Sequence, residues 1–308
     1  MMQDTPSGGA ASLQHRGAAP MVWVNGHRMS ADARHLSALD RGFTLADGVF
    51  ETVRVYDGHA FRLDAHIRRL TDATSALGIP LSTDIEDLVR RAVLEAGGSG
   101  LREASVRLTV SRGVGWPGLA PPSSPEPTIV IAVAPPPAFS RDLYATGITV
   151  HVASGRRNEH AMTAGLKTIA FTESVVALAE ARAAGADDAI FLDTEGHVSE
   201  GTSSNVFIAT AADSKVLVTP PLSCGALPGI TRAAVIELAT ELGFAVDEHP
   251  IEYEHLLASR EVFLTSSLRA LVPAVRIDGR SVGDGKPGPL TRRAMEAYWA
   301  LVSSECRG

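Results

Sequence analysis

The feature that most constrains the fold of this chain is a mixture of strand-like and helix-like patterns of apolar residues, which three consecutive prolines interrupt. Val- and Ile-rich runs at residues 104–111 and 128–134 are typical of buried strands. The segment 62–77 instead carries Leu and Ile near helical spacing, which predicts an amphipathic helix. The prolines at 135–137 end these patterns, and strands and helices mix again from residue 147 onward. The sequence therefore predicts an α+β or mixed α/β protein with two domains.

The same breaks predict where the domains begin and end. Residues 1–20 are rich in Gly, Ala, Ser and Gln and are expected to form a disordered tail. Residues 21–134 are predicted to be a small α/β domain, followed by an interdomain linker at residues 135–146. Residues 147–308 are predicted to form a larger α/β domain, and 308 residues are enough chain for two such units.

Composition excludes several classes of partner. With 28 Lys and Arg against 35 Asp and Glu, the formal net charge is −7, which argues against nucleic acid or an anionic membrane as the main partner. No run of about 18 apolar residues is present, so no membrane-spanning helix is expected. The two cysteines are too few for a disulfide framework, and no His or Cys cluster has the spacing of metal ligands. We therefore expect a cytoplasmic protein without a metal site.

Two glycine-rich stretches, at residues 113–118 and 283–288, match the dinucleotide-binding pattern GxGxxG. Prolines at 117, 121 and 122 forbid a helix after the first stretch. The second stretch lies too near the C-terminus to be followed by the returning strand that the motif requires. Both stretches are therefore predicted to be turns.

One lysine stands apart from the other two lysines of the chain. Lys215 and Lys286 lie in polar turns, whereas Lys167 lies in the apolar segment Ala-Gly-Leu-Lys-Thr-Ile-Ala-Phe, ahead of a predicted helix. Apolar surroundings lower the pKa of an ammonium group, and a neutral amine is what Schiff-base chemistry requires. The alternative is that the stem of Lys167 packs on apolar surface while its ammonium stays in water.

The residues that follow Lys167 include the other groups that a pyridoxal phosphate site requires. Glu200 follows a predicted turn and could pair with the pyridine nitrogen. The segment Leu-Pro-Gly-Ile-Thr at 227–231 opens a predicted helix, whose first N–H groups are free to hold a phosphate. Ser266 and Ser267 add hydroxyl groups at the end of a predicted strand. Each of these also has an ordinary explanation as a surface acid, a helix cap or a turn, but their combination and order favour the cofactor site.

The chain resembles the class IV aminotransferases, which are fold-type IV pyridoxal phosphate enzymes. The family includes branched-chain and D-amino acid aminotransferases, R-selective amine transaminases and 4-amino-4-deoxychorismate lyases. The resemblance covers nearly the whole chain from Val22 onward. Its motifs lie at residues 40–54, 61–70, 156–167, 199–207, 227–232 and 283–289.

The resemblance implies a role for each matching residue. Lys167 would form the Schiff base with pyridoxal 5′-phosphate and move a proton between cofactor and substrate. Glu200 would pair with the pyridine nitrogen, Leu227 would press on the ring, and Phe171 lies near a position where branched-chain enzymes often carry Tyr. The remaining cofactor-binding residues would be Arg62, Ile230, Thr231, Ser266 and Ser267, with Arg62 on the phosphate. The cofactor would lie between the two domains, in a homodimer whose partner chain helps to close the pocket.

Candidate substrate residues lie in the first half of the chain. Strand alternation places Phe50, Thr52 and Arg54 on one face. Arg54 would either grip a substrate carboxylate there, or point to solvent or pair with an acid. Thr52 matches the active-site threonine of the lyases, where branched-chain enzymes typically carry Gly. Lyases and D-amino acid enzymes typically have an arginine near the Trp116-Pro117 pair of this chain. Trp116 and Phe171 are therefore candidate walls of an apolar pocket.

These features favour a transaminase that moves an amino group between an amino acid or primary amine and a 2-oxo acid. The alternative is a 4-amino-4-deoxychorismate lyase, which eliminates pyruvate to leave 4-aminobenzoate with the same lysine, acid and phosphate site. A third possibility is a family member that binds pyridoxal phosphate without turnover.

Overall fold

The computed structural model describes residues 20–116, 118–210 and 216–306. The predicted disordered tail, apart from Pro20, lies outside the described residues. The described strands are β1 (Met21–Val24), β2 (His27–Met29), β3 (Gly48–Tyr56), β4 (His59–Ala60), β5 (Ala104–Ser111), β6 (Thr128–Ala134), β7 (Ile148–Arg156), β8 (Asp188–Leu192), β9 (Val198–Gly201), β10 (Asn205–Ala209), β11 (Val216–Thr219), β12 (Ala245–Glu248), β13 (Glu261–Ser266), β14 (Ala270–Ile277) and β15 (Arg280–Ser281). The described α-helices are α1 (Arg41–Leu45), α2 (Leu63–Ala76), α3 (Ile85–Gly98), α4 (Arg141–Thr146), α5 (Thr172–Ala183), α6 (Ile230–Glu241), α7 (Tyr253–Leu257) and α8 (Pro289–Cys306).

The first domain is built on an antiparallel sheet with the strand order β2-β1-β6-β5-β3-β4. Helices α2 and α3 cover the face on which the core lies. Helix α2 forms because Leu63, Ile67 and Leu70 recur on one side of the helix, and all three are buried against this sheet. In β3, Val49 and Val53 belong to the same core. Because side chains of a strand alternate between its two faces, Glu51 points to the same face as these two valines, toward the helices.

The second domain is built on a larger mixed sheet with the strand order β12-β11-β10-β13-β14-β7-β8-β9. Helices α6 and α8 bury Val235, Leu238 and Tyr298 in one of its cores. Helix α5 packs its small residues Ala177 and Ala181 on β7 and β8. The predicted mixture of strands and helices in two domains is confirmed, and none of the helices in the described ranges has the length and hydropathy of a transmembrane helix.

The segment predicted as a linker is partly helical. The first sheet ends at Ala134 and the second begins at Ile148, but α4 lies between them. The hydroxyl of Ser140 caps this helix by accepting a hydrogen bond from the Asp142 N–H at 3.1 Å. Tyr144 then packs on the core of the second domain. The exact domain boundaries stay a prediction.

One carboxylate holds together the loops on either side of β3 and β5. Asp47 Oδ2 accepts hydrogen bonds from Arg41 Nε at 2.8 Å and from Arg112 Nε at 2.7 Å. Arg41 also donates to the backbone carbonyl groups of Gly118 and Leu119, both at 3.0 Å. Burial alone would raise the pKa of Asp47, but the hydrogen bonds from Arg112 and Arg41 outweigh it and lower this pKa below its ordinary value of 3.8.

We expect Asp47→Asn to lower the free energy of unfolding by about 2–4 kcal/mol at pH 7, because two partly buried guanidinium groups lose their counter-ion. A carboxyl group with a lowered pKa stabilises the fold above its unfolded pKa and loses that contribution as the pH falls through its folded pKa. The deficit of the variant should therefore shrink below pH 3.8. Urea unfolding of both proteins across this pH range measures it.

Asp64→Asn is the matched control, because Asp64 pairs only with exposed Arg68 on the surface of α2. Its effect should stay below about 1 kcal/mol. Equal losses in the two variants would show that the Asp47 network does not stabilise the fold.

Candidate active site

A cavity of about 620 Å³ lies between the two domains. Side chains from both halves of the chain line it, among them Phe50 and Thr52 from β3 and Lys167 and Glu200 from the second half. The predicted site residues that line this cavity are Phe50, Thr52, Lys167, Phe171, Glu200, Leu227, Ile230, Thr231, Ser266 and Ser267. The structure thus brings residues from five separate sequence segments into one site.

Lys167 is held against the first domain by backbone hydrogen bonds. The Phe50 N–H donates to the Lys167 carbonyl at 2.9 Å, and the Ile169 N–H donates to the Gly48 carbonyl at 3.0 Å. Lys167 Nζ lies 4.4 Å from the ring centre of Phe50 and 5.3 Å from that of Phe171. Burial, followed by the nearby charge of Arg69, lowers the pKa of Lys167 to about 8. A fraction of this amine is therefore neutral near physiological pH.

Glu200 lines the cavity from β9, a strand that the polar sequence around it did not predict. Its carboxylate accepts a hydrogen bond from the Leu227 N–H at 2.9 Å and lies 3.1 Å from Arg157 Nη2. Burial raises the pKa of Glu200, and the charge of Arg157 partly offsets that rise. The arrangement leaves a buried carboxyl group beside the cavity that can hold or share a proton.

The first turn of α6 lines the cavity with a helix start. Gly229 is the N-cap residue and supplies no side chain, so the N–H groups of Ile230 and Thr231 have no side-chain cap. Asn205 Nδ2 donates to the Leu227 carbonyl at 2.8 Å and fixes the segment before the helix. A Cβ atom at position 229 would collide with Asn205 Oδ1, which explains the glycine. Free N–H groups at a helix start favour a bound phosphate.

The structure corrects the prediction for Arg62. This residue does not line the cavity, because it precedes α2 in a left-handed conformation with φ 49°. Its Nη2 lies 2.7 Å from Glu237 Oε2 and 3.2 Å from Glu305 Oε1, on the outer side of the domain junction. Arg69, two turns further along the helix, lines the cavity instead. The sequence motif contains both arginines, and only the packing of α2 distinguishes them.

The structure also corrects the prediction for Arg54. Alternation along β3 correctly places Phe50 and Thr52 at the cavity. Arg54 is two residues beyond Thr52 in the same strand, and it does not line the cavity. Its guanidinium pairs with Glu103, donates to backbone carbonyl groups including that of Ala104, and lies 4.5 Å from the ring centre of Tyr56. Arg54 is thus satisfied by its own domain.

Trp116 is a third correction, since it is not a wall of the cavity of this chain. Its side chain is 88% exposed, on the loop that Arg41 holds beside α1. Phe171, the other predicted wall, does line the cavity and makes an edge-to-face contact with Phe50 at 5.1 Å. The apolar wall is therefore formed by Phe50 and Phe171.

The sequence reasoning did not single out several other arginines that line the cavity. Arg157 pairs with Glu200, and Arg269 pairs with the buried Asp188. Arg107 differs, because it forms no ion pair with any residue that the structure describes, and its guanidinium stacks 3.3 Å from the ring centre of Phe50. Strand alternation in β5 could have placed Arg107 next to β3, but no sequence pattern indicated that it lacks a counter-ion.

The polar groups of the cavity fit pyridoxal phosphate, the cofactor that the resemblance implies. An amine, a buried carboxyl group and a helix start lie around one space, as the aldehyde, pyridine nitrogen and phosphate of that cofactor require. Two buried cavity hydroxyl groups, those of Ser204 and Thr265, have no hydrogen-bond partner among the described residues. A buried polar group without a partner is unfavourable, so these hydroxyl groups are consistent with a polar ligand.

One group of potential metal ligands lies outside the cavity in the described part of the chain. It consists of Asp193, His197 and Cys224, whose ligand atoms lie within 4.8 Å of one another. Asp193 Oδ1 accepts the His197 N–H at 2.7 Å, and its carboxylate also takes the hydrogen bond of the Cys224 thiol. These groups satisfy each other, and the expectation of no metal site stays a prediction.

Comparison with known proteins agrees with this site. The sequence profile of the family Amino-transferase class IV matches residues 48–277. A putative branched-chain-amino-acid aminotransferase of Methanocaldococcus jannaschii is 36% identical over 279 residues, which cover 90% of this chain and 94% of that protein.

Two solved structures extend the comparison to the fold. The branched-chain amino acid aminotransferase of Escherichia coli has a TM-score of 0.86 and 31% identity, covering 94% of this chain and 96% of the other. The 4-amino-4-deoxychorismate lyase of Pseudomonas aeruginosa has a TM-score of 0.78 and 30% identity, covering 92% and 98%. The predicted fold-type IV architecture is confirmed. The family profile, the relatives and the cavity lead to one conclusion: this chain belongs to the class IV aminotransferases, the pyridoxal phosphate-dependent family that its sequence motifs indicated.

Proposed function

We propose that this protein is a branched-chain amino acid aminotransferase, which exchanges an amino group between a branched-chain amino acid and a 2-oxo acid. The observation that carries the proposal is the apolar wall of Phe50 and Phe171 beside Lys167, with the unpaired Arg107 stacked on it. An apolar wall suits an aliphatic side chain, whereas a free guanidinium suits a carboxylate. The names of the M. jannaschii and E. coli relatives agree with this proposal.

In this proposal, each side chain that would surround the ring of the cofactor has its own role. Pyridoxal phosphate supplies the electrophilic carbon and the electron-withdrawing ring on which amino groups are exchanged. Lys167 would bind that carbon through Nζ and later accept and return a proton there, which its lowered pKa favours. Glu200 would hold the pyridine nitrogen in its protonated state, while Leu227 would pack on the ring.

The phosphate would bind where the first turn of α6 meets Arg69. Arg69 Nη1 donates to the Pro228 carbonyl at 2.7 Å, which brings the guanidinium next to the N–H groups of Ile230 and Thr231. The positive end of the helix and the guanidinium both favour a dianion. Ser267 also lines the cavity and adds a hydroxyl group. We therefore propose Arg69 for the role first predicted for Arg62.

Transfer from single donors tests the proposed function most directly. We expect the yellow absorbance of the cofactor-loaded protein to bleach when leucine, isoleucine or valine is added without an acceptor. D-alanine and an R-amine should react poorly, and both the L and D forms of the branched donors should be tested. Lys167→Ala should lower turnover at least about 1,000-fold, because its amine is the only described one in the cavity.

Lys286→Ala is the control for this experiment, because Lys286 is exposed in the loop before α8 and does not line the cavity. It should keep full activity. A yellow protein that no donor bleaches would contradict the transaminase proposal. A Lys167→Ala variant with full activity would contradict the role of Lys167.

A 4-amino-4-deoxychorismate lyase remains the second candidate, because Thr52 lines the cavity and the P. aeruginosa lyase shares the fold. Both reactions use the same lysine, acid and phosphate site, so the site framework does not separate them. Release of pyruvate from 4-amino-4-deoxychorismate, in a protein that every amino donor leaves yellow, would favour the lyase. A protein that binds the cofactor but performs neither reaction would favour the third possibility.

Arg107 provides a prediction about the acceptor. Partial burial lowers the pKa of Arg107 only to about 10, so its guanidinium stays charged at neutral pH. We expect Arg107→Met to lower kcat/KM for 2-oxoglutarate about 10–100-fold, because the variant loses one charge-assisted hydrogen bond to this acceptor. The acceptor 4-methyl-2-oxopentanoate has no second carboxylate and serves as the control, with a change below about threefold. Equal losses with both acceptors would contradict the proposed role.

We also propose that the protein is a homodimer. An apolar surface, formed by α1 and the loop beside it, is exposed on the first domain and consists of Phe43, Leu45, Val114, Trp116 and Leu119. Arg41 joins the two parts of this surface through its hydrogen bonds to the loop. An exposed apolar patch of this kind is typical of a protein–protein interface, and a second copy of the chain is the partner that the family resemblance implies.

A charge on this surface should break the dimer. We expect Phe43→Glu to raise the dimer dissociation constant at least about 30-fold, because Phe43 is a large apolar residue of this surface and is 77% exposed. Leu94→Glu, on α3 of the same domain and 72% exposed, is the matched control and should not change the dimer. Sedimentation equilibrium measures both. A wild-type protein that sediments as a monomer would contradict the proposal.

A further inference from the structure

Glu51 is a buried acid that does not line the cavity and that the proposed reaction does not use. It lies in β3 between Phe50 and Thr52, which face the cavity, and its side chain turns to the opposite face. The residue is fully buried, with an exposed fraction of 0%. A buried carboxylate is strongly unfavourable unless it is paired and hydrogen-bonded, so its partners indicate its purpose.

The partners of Glu51 both belong to α2. Arg69 Nε donates to Glu51 Oε1 at 2.7 Å, and Arg69 Nη2 donates to Oε2 at 2.7 Å, so the pair is bidentate. His66 Nδ1 lies 2.7 Å from the same Oε2. Burial raises the pKa of Glu51, but the hydrogen bonds from His66 and Arg69 outweigh it and lower this pKa to about 2. Glu51 is therefore a permanent anion that fixes one guanidinium.

Glu51 does not use all the donors of Arg69. A guanidinium has five N–H donors, and two of those of Arg69 are used by Glu51. A third donates from Nη1 to the Pro228 carbonyl, directly before the first turn of α6. Two N–H groups therefore remain, one on Nη1 and one on Nη2, and Arg69 is one of the residues that line the cavity.

We propose that Glu51 is a positioning residue for phosphate binding: it holds Arg69 so that its two remaining N–H groups converge with those of Ile230 and Thr231 on one phosphate. This inference rests on the proposed cofactor site. Glu51 acts only through Arg69, because it does not itself line the cavity. It makes the phosphate site a joint product of both domains, since the acid and the arginine come from the first and the helix start from the second.

The effect should be specific for the phosphate group. Pyridoxal has the ring and aldehyde of pyridoxal phosphate but lacks the phosphate, so a comparison of the two ligands isolates the contacts at the phosphate. Cofactor-free protein prepared from the holoenzyme would be titrated with each ligand, and binding would be read from the quenching of tryptophan fluorescence. The wild-type protein should bind pyridoxal phosphate much more tightly than pyridoxal.

We expect Glu51→Gln to weaken the binding of pyridoxal phosphate about 10–100-fold and that of pyridoxal less than about threefold. Arg69→Met should show the same pattern. Because Glu51 acts through Arg69, the double variant should lose no more than Arg69→Met alone, which is the result expected for two residues that act as one unit. Glu51→Asp keeps the charge but retracts the carboxylate, and should give a smaller loss that is again confined to pyridoxal phosphate.

Several outcomes would overturn the inference. Equal losses for both ligands would show that Glu51 only supports the fold, and additive losses in the double variant would show that it does not act through Arg69. If Glu51→Gln does not fold, the Glu51→Asp titrations decide in the same way. A wild-type protein that does not prefer pyridoxal phosphate over pyridoxal would instead refute the proposed cofactor site, so the two failures are distinguishable.

Discussion

The active site depends on a short backbone pairing between the two domains. The segment at residues 167–169 belongs to the second half of the chain, but it pairs with the start of β3 through the hydrogen bonds of Phe50 and Ile169. This pairing requires a glycine at position 48, because a Cβ atom there would collide with the Val110 carbonyl and crowd Ile169. The amine of Lys167 consequently emerges beside the aromatic rings, at a position that neither domain could fix alone.

The buried charges around the cavity separate framework from ligand-binding groups. Glu200, Glu51 and Asp188 each have an arginine partner, so their ion pairs are satisfied without a ligand. Arg107 is the cavity arginine for which no such partner exists within the described ranges. A protonated guanidinium that is partly removed from water favours an anion. The paired charges therefore hold the shape of the site, while the unpaired one marks where a substrate carboxylate would bind.

The sequence predicted the groups whose chemistry is encoded locally. An apolar lysine segment, a helix start with Pro and Gly before it, and a run of hydroxyl groups indicated Lys167, Thr231 and Ser267. The sequence did not separate Arg62 from Arg69, because both belong to the motif at residues 61–70 and a spacing of seven positions would put them on one side of a regular helix. In the structure Arg62 precedes α2 in a left-handed conformation. Which of them reaches the cavity depends on how the helix docks between Glu51 and α6, and that is a tertiary property.

The remaining errors have the same physical origin. Strand alternation placed Arg54 on the same face of the sheet as Thr52, but it does not predict how far along the strand the cavity extends. Trp116 was assigned to the cavity because it is large and apolar, yet an exposed aromatic residue equally suits an interface between two chains. Transaminase and lyase chemistry diverge only after a shared framework has bound the cofactor. Thr52 and Arg107 are polar residues of the first domain that line the cavity and have no charged partner among the described residues. We therefore expect the distinction to depend on these two.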